Sequence, residues 1–226
     1  LITENSIEAV IGIFAILKSG ACYVPIVPDS AEERIRYILA DANIKTIVTH
    51  DKCADGRASA LILLDVFPGA NVVFCNYNTP EYNDLPATEG MIFCDIVPPA
   101  HRVEEFIAVN AIVLDHHKTN KEIVAKFGDN GRFADEATEP GVSGASLAFE
   151  VWEKDSCNGA AHNILCDEVK RFAYLASVRD TFTKNQDWNE ACAQKEMLLF
   201  LSWEQICNAS WEALTDRASL TGLVEI

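Results

Sequence analysis

Basic residues are scarce in this sequence. Only 18 lysines and arginines stand against 34 aspartates and glutamates, which leaves a formal charge of −16 over 226 residues. The shortage argues against electrostatic binding to duplex nucleic acid, because such binding needs basic side chains to neutralise phosphates. A small phosphorylated ligand remains compatible with this balance, since bound divalent metals can reverse the local charge.

The sequence also shows no pattern typical of disulfide pairs, of a leader peptide or of membrane spans. The eight cysteines include no CxxC pair, and Cys75 and Cys94 lie in apolar runs where cysteine behaves as a small hydrophobe. The first segment lacks the basic stretch and cleavage site of a signal peptide. No apolar stretch reaches the roughly 18–20 residues of a membrane helix. These absences predict a cytoplasmic protein with reduced thiols and no membrane contact.

Short runs rich in valine and isoleucine alternate with helical segments. The runs TIVT, NVVFC, MIFC and AIVL are typical of buried strands, while RASALILLDVF and RVEEFIA between them are typical of helices. Two helices around a short extended piece are predicted over residues 5–42. Residues 128–144 are predicted to form a loop, and the chain from Gly144 onward is almost wholly helical in pattern. The sequence therefore predicts an α/β fold, with a mainly parallel sheet flanked by helices and a helical C-terminal part.

Acidic and imidazole side chains directly follow three of the predicted strands. In an open parallel sheet the carboxyl ends of the strands share one edge, so these groups are expected to meet there. Gathered carboxylates repel one another and are costly to bury unless a cation lies between them. A shared site for two divalent metals is therefore predicted at this edge. The groups are His50 and Asp51 after the first strand, Asp95 after the third, and Asp115, His116 and His117 after the fourth.

Several motifs in order resemble the DHH phosphoesterase family over about residues 46–226. They read THDKCADGRASALI, FCDIVPP, VLDHHKTN and VSGASLAFEVW. The resemblance implies hydrolysis of phosphoester bonds in small nucleotides or short single-stranded oligonucleotides by a water activated between two ions. Oxygen-rich ligand sets with some imidazole suit Mn2+ or Mg2+ better than zinc.

The same resemblance implies residue roles. Ala54 stands where some branches of the family carry a metal-binding aspartate, which leaves Asp51 as the candidate replacement. Lys118, and Ser143 with Gly144 at a helix N-terminus, are predicted to contact phosphate; an exposed loop lysine and an ordinary serine N-cap are the alternatives. The implied metal ligands are His50, Asp51, Asp55, Asp95, His116 and Asp180, and the implied catalytic residues are Asp115 and His117.

The beginning of the chain resembles something different. The stretch NSIEAVIGIFAILKSGACYVPIVPDSAEERIRYILADANIKTIVT, about residues 4–49, is similar to part of an adenylation domain of nonribosomal peptide synthetases. That family's Ser/Thr/Gly-rich phosphate loop and later nucleotide-binding motifs are not found here, so no acyl activation is expected. Two domains are predicted: an adenylation-like fragment over 1–49 and a phosphoesterase-like core over 46–226, joined by gene fusion or engineering.

A non-enzymatic alternative stands beside hydrolysis. The expected absence of the phosphoesterase family's C-terminal substrate domain, and the altered surroundings of His50, favour a catalytically inactive chimera or scaffold that retains the metal-site core. A core without its partner domain leaves apolar surface uncovered, and such patches often become interfaces between copies. A homo-oligomer is therefore also predicted.

Overall fold

The structure, a computed structural model, describes residues 44–156 and 162–215, together with positions 10, 11, 14 and 18, which are helical. The chain divides into two compact units, Leu1–Asn43 and Ile44–Ile226. The extended piece predicted within residues 5–42 and most of the two helices predicted there lie outside the described residues. The architecture below is that of the second unit.

Five parallel strands form the sheet of this unit, in the order β2-β1-β3-β4-β5. This arrangement confirms the predicted α/β fold. The order reverses between β1 and β3, because the chain adds β2 on one side of β1 and β3 on the other. In open parallel sheets, ligands bind beyond the carboxyl ends of the strands at such a reversal. The strands are β1 Thr46–His50, β2 Asn71–Cys75, β3 Met91–Cys94, β4 Ile112–Asp115 and β5 Gly131–Phe133.

Helices cover both faces of the sheet. The helices are α1 Ala54–Val66, α2 Pro80–Asn83, α3 Val103–Ala108, α4 Lys121–Ala125, α5 Gly144–Ser156, α6 His162–Asp180, α7 Trp188–Phe200, α8 Trp203–Cys207 and α9 Trp211–Thr215. Short 3-10 helices span Ala100–Arg102, Lys118–Asn120 and Gly128–Asn130. None of the helices in the described ranges is long and apolar enough to cross a membrane.

Alternation along the strands explains the two-sided core. Successive strand side chains point to opposite faces of a sheet. Ile47 and Ile92 accordingly lie in a cluster with residues of α1, α5 and α6, such as Phe172 of α6. Val48 and Phe93 lie in a second cluster with residues of α3 and α4, including Phe106. Because both faces are buried, the central strands β3 and β4 are continuous apolar runs up to their last residues, as parallel strands usually are.

Two short elements lie between the longer helices and strands, and one of them, β5, falls within the predicted loop 128–144. Strand β5 has only three residues and no apolar run, so its sequence carries no strand pattern; its pairing with β4 places it at the sheet edge. Gly131 permits this position, because a Cβ there would collide with the carbonyl oxygen of Val124. Helix α2 is a single turn started by Thr79, whose side chain accepts the backbone N–H of Tyr82.

Candidate metal centre

Asp95 lies at the middle of the carboxyl edge of the sheet. It follows β3 directly and has a φ of 63°, in the left-handed region that non-glycine residues seldom adopt. Its side chain is buried, and its Oδ2 has no hydrogen-bond partner within the part of the chain that the structure describes. A strained backbone and an unsatisfied buried carboxylate oxygen at one residue are typical of a functional site.

His116 joins Asp95 to two further carboxylates. Its Nε2 lies 3.2 Å from Asp95 Oδ1, 3.6 Å from Asp55 Oδ2 and 3.6 Å from Asp180 Oδ2. The ligand atoms of Asp55, His116 and Asp180 all lie within 4.8 Å of one another. These residues come from the first turn of α1, the loop after β4 and the last residue of α6. The fold thus brings three of the predicted metal ligands within 4 Å of a fourth, His116, with Asp55 and Asp180 in one ligand group and Asp95 in another.

Asp55 is held by the N-terminus of α5. Its carboxylate oxygens accept the backbone N–H groups of Gly144, at 2.6 Å, and of Ala145, at 3.0 Å. These two N–H groups, at the positive end of the helix dipole, hold the carboxylate in place. Ser143 Oγ lies 2.9 Å from Ser177 Oγ and 3.4 Å from the backbone nitrogen of Ser146. The N–H group of Gly144, predicted to bind phosphate, is therefore already engaged by an internal carboxylate.

Asp115 orients its neighbour His117. Asp115 Oδ1 accepts the backbone N–H of His117 at 2.6 Å and lies 3.1 Å from its ring Nδ1. Asp115 Oδ2 accepts the side-chain amide of Asn120 at 3.2 Å. His117 Nδ1 also lies 3.9 Å from Asp95 Oδ1, so its ring borders the centre. Asp115, predicted to be catalytic, belongs to no ligand group found among the described residues, and its contacts fix the position of the His117 ring.

His50 and Asp51, the predicted ligands at the end of β1, have different partners in the structure. His50 and Cys53 lie with Asp95 in a group whose ligand atoms are within 4.8 Å of one another. Asp51 lies outside the three such groups found among the described residues, and its Oδ2 accepts the side-chain amide of Asn76 at 3.3 Å. Sequence reasoning missed Cys53; the spacing of three residues from His50 was the available signal. Lys118, predicted to contact phosphate, is exposed on a short 3-10 helix.

Burial and the charges of neighbouring groups raise the pKa values of three residues in the centre. Burial, reinforced by the charge of Asp55, raises the pKa of Asp95 to about 7. The same two causes raise the pKa of Asp180. Burial alone would lower the pKa of His116, but the hydrogen bond to Asp95 and the nearby carboxylates raise it to about 9. The cluster therefore retains protons near neutral pH, and a divalent cation could replace them.

Solvent reaches the edge of the cluster. A cavity of about 390 Å³ beside it is lined by His117, Asn120, Tyr77 and Tyr82, among others. Tyr77 Oη accepts the side-chain amide of Asn120, and the rings of Tyr77 and His50 have centroids 5.8 Å apart. This cavity borders His117 but not the proposed ligands of α1 and α6. A second cavity, of about 180 Å³, is lined by Cys53, Asp55 and Asp180 and gives a hydrated ion a path to these ligands.

Comparisons with known proteins concern the first part of the chain. The family described as AMP-binding enzyme matches residues 1–90. Tyrocidine synthase 2 from Brevibacillus parabrevis is 50% identical over 66 residues, 29% of this chain and 2% of that protein. Gramicidin S synthase 2 from Brevibacillus brevis is 36% identical over 83 residues, 37% of this chain and 2% of that protein. Bacitracin synthase 1 from Bacillus licheniformis is 41% identical over 93 residues, 41% of this chain and 2% of that protein.

These matches confirm that the N-terminal segment resembles a fragment of a peptide synthetase adenylation domain. The family match runs to residue 90, beyond the predicted limit at 49, and so takes in β1, α1 and β2. The chain spans only 2% of the length of the relatives described above. His50 and Asp55 lie within residues 1–90, which the family model matches.

The predicted phosphoester hydrolysis is wrong. The matched family and the relatives above are AMP-binding enzymes and peptide synthetases, and none of these comparisons supports membership of the DHH phosphoesterases or a hydrolase activity. The physical reason lies in topology. Parallel strands bring whatever polar residues follow them to one edge, in many unrelated proteins. Acids and imidazoles in that position report a place for a ligand, not the reaction performed there.

Proposed function

We propose that this chain is a non-hydrolytic chimera in which an adenylation-type N-terminal segment is joined to a cation-binding α/β scaffold. The cation site comprises Asp55, Asp95, His116 and Asp180. The likeness of residues 1–90 to AMP-binding enzymes supports the first part of this proposal. The geometry of the carboxylate–imidazole cluster supports the second.

The observation that carries the cation site is the state of Asp95. Its carboxylate is 1% exposed, lies near Asp55 and leaves Oδ2 without a hydrogen-bond partner among the described residues. Leaving a buried charged oxygen unpaired costs several times what an ordinary lost hydrogen bond costs. A divalent cation bound by Asp95 and its neighbours offsets that cost and neutralises the repulsion between the acids.

The donor set indicates which cation is preferred. Three carboxylates and one imidazole are hard to borderline ligands, which suit Mn2+ and Mg2+. Such an ion would link α1 and α6 with the residues that directly follow β3 and β4, which are distant in sequence. The ion's function in this proposal is to hold these elements together; it supplies positive charge and needs no bound substrate.

The direct test is Asp95→Asn with Mn2+ as the probe. The wild-type protein is expected to bind Mn2+ in calorimetry. Substituting a residue that only contacts a metal ligand lowers metal affinity by roughly ten- to hundredfold. The Mn2+ affinity of the variant is expected to fall by more than that, because Asp95→Asn removes the charge of a ligand itself. At Mn2+ concentrations about 100 times the Kd, wild-type stability should rise by about 2.7 kcal/mol.

Asp135→Asn is the matched control. Asp135 is also a buried acid, but its carboxylate accepts hydrogen bonds from Ala137 and Thr138 and belongs to none of the three ligand groups of the described residues. This variant is expected to bind Mn2+ like the wild type. Absence of Mn2+ uptake by the wild-type protein, or equal uptake by Asp95→Asn, would refute the cation site.

Two activity assays define the rest of the proposal. Bis-p-nitrophenyl phosphate and short oligonucleotides are expected to remain intact in the presence of Mn2+-loaded protein. ATP–pyrophosphate exchange with added carboxylic acids is expected to stay at background, because the chain spans so little of the synthetases it matches. Steady turnover in either assay, lost in Asp95→Asn, would replace the scaffold with an enzyme.

A reducing compartment suits this protein. The five cysteines whose side chains the structure describes are free thiols, and two of them, Cys75 and Cys94, are buried in the core. We therefore place the protein in the cytoplasm, where thiols stay reduced. The homo-oligomer expected from the sequence stays a prediction, and light scattering measures it.

A further inference from the structure

We propose that Cys53 makes a second cation position, formed with His50 and Asp95, selective for thiophilic metals such as Zn2+. This inference rests on the proposed cation site, because the two positions share Asp95. The sulfur of Cys53 is a soft ligand, unlike the carboxylate oxygens of the proposed cation site. The two positions would therefore prefer different classes of metal.

The turn after β1 brings these groups together. His50 is the last residue of β1, Lys52 has a φ of 56°, and Cys53 precedes the first residue of α1. The left-handed conformation at Lys52 reverses the chain within three residues. As a result the thiol of Cys53 and the imidazole of His50 share one side of the turn, while Asp51 contacts Asn76.

A cysteine near a histidine is by itself a weak indication of a metal site. The independent observation here is the buried carboxylate that faces them. Asp95 completes a group whose ligand atoms lie within 4.8 Å of one another, and its Oδ2 has no hydrogen-bond partner within the described ranges. Thiolate, imidazole and carboxylate in one group form a ligand set of the kind that binds zinc with an open fourth position.

The chemistry of the donors separates the two positions. The first position offers the carboxylates of Asp55 and Asp180 and the imidazole of His116, together with the shared carboxylate of Asp95, and these donors suit manganese or magnesium. The position formed by His50, Cys53 and Asp95 offers a sulfur atom, which hard cations bind poorly. When Zn2+ binds there, the Cys53 S–H bond breaks, its proton leaves to the buffer, and a Zn–S bond forms.

The test uses Co2+ as a spectroscopic substitute for zinc in the full-length protein. A cobalt–thiolate bond gives a charge-transfer band in the near ultraviolet, and we expect the wild-type protein to show it. Cys53→Ser should remove the band and lower Zn2+ affinity by at least the roughly ten- to hundredfold typical of weaker perturbations of a metal site. Mn2+ affinity should change by less than about threefold, since the other position lacks sulfur.

Cys192→Ser is the matched control, because Cys192 is half-buried like Cys53 and lies outside the three ligand groups of the described residues. It should retain the band and the Zn2+ affinity. A second measurement needs no variant. Zn2+ should slow the alkylation of Cys53 in the wild-type protein, read by peptide mass spectrometry, and leave the rate at Cys192 unchanged.

The outcomes separate this inference from the proposed function. Two results would overturn the thiolate position and leave the cation scaffold standing, provided that Mn2+ still binds. One is a wild-type cobalt spectrum without the charge-transfer band; the other is a band that persists in Cys53→Ser. Unchanged alkylation of Cys53 in the presence of bound Zn2+ also overturns the thiolate position. Failure of the wild-type protein to bind any of the three metals overturns both.

Discussion

Replacing Gly144 with alanine is expected to destabilise the α/β unit by about 3–5 kcal/mol, because the change adds steric overlap and weakens charged hydrogen bonds. A Cβ at this position would lie 2.7 Å from Asp95 Cβ, 2.8 Å from Asp55 Oδ2 and 2.9 Å from Ser59 Oγ. All three neighbours are buried, so they have little room to move. The first turn of α5 must shift away, and the N–H groups that hold Asp55 shift with it.

Urea unfolding measures the loss of stability, and Mn2+ calorimetry measures the expected loss of cation binding. Gly69→Ala is the control, because a Cβ there meets nothing within 4 Å. Its unfolding free energy should change by less than about 0.5–1 kcal/mol, as is usual for a tolerated substitution at the surface. A Gly144→Ala protein with wild-type stability and wild-type Mn2+ affinity would show that α5 does not hold Asp55 in solution.

Cation affinity is expected to rise steeply with pH. The pKa of His116 is raised to about 9 and that of Asp95 to about 7, so His116 carries a proton throughout the neutral range and Asp95 carries one below about pH 7. A cation must displace those protons, and raising the pH removes the competitors. Between pH 6 and pH 8 the Mn2+ affinity should therefore increase on the order of a hundred- to a thousandfold, since each displaced proton contributes up to about tenfold per pH unit.

Calorimetry in buffers of different ionisation enthalpy counts the protons released at each pH. His116→Asn supplies the comparison: it should bind Mn2+ more weakly overall, and its affinity should depend less on pH because one competing proton is gone. Asp135→Asn should keep the wild-type slope, since its carboxylate lies outside the cluster. An affinity that stays constant from pH 6 to pH 8 would mean that protons do not occupy the cation site.

The sequence by itself predicted the fold class and the edge at which the polar groups meet. Strands β1, β3 and β4 are apolar runs between helical patterns, and runs of that kind predict buried parallel pairing wherever they occur. Because parallel strands end on one side, the meeting of Asp95 with His116 followed from the order of elements alone. Strand β5 escaped prediction, since three residues without an apolar run form a strand only through the neighbour they pair with.

The tertiary structure decided which side chains form the centre and what they already bind. The family resemblance left Asp51 as the candidate ligand beside His50, but after the left-handed turn at Lys52 it is Cys53 that lies in a ligand group with His50. The sequence predicted that the N–H group of Gly144 would bind a phosphate ligand. In the structure it donates a hydrogen bond to Asp55, a residue 89 positions away. Backbone torsions at a turn and contacts between distant elements leave no local pattern, so only the folded chain reveals them.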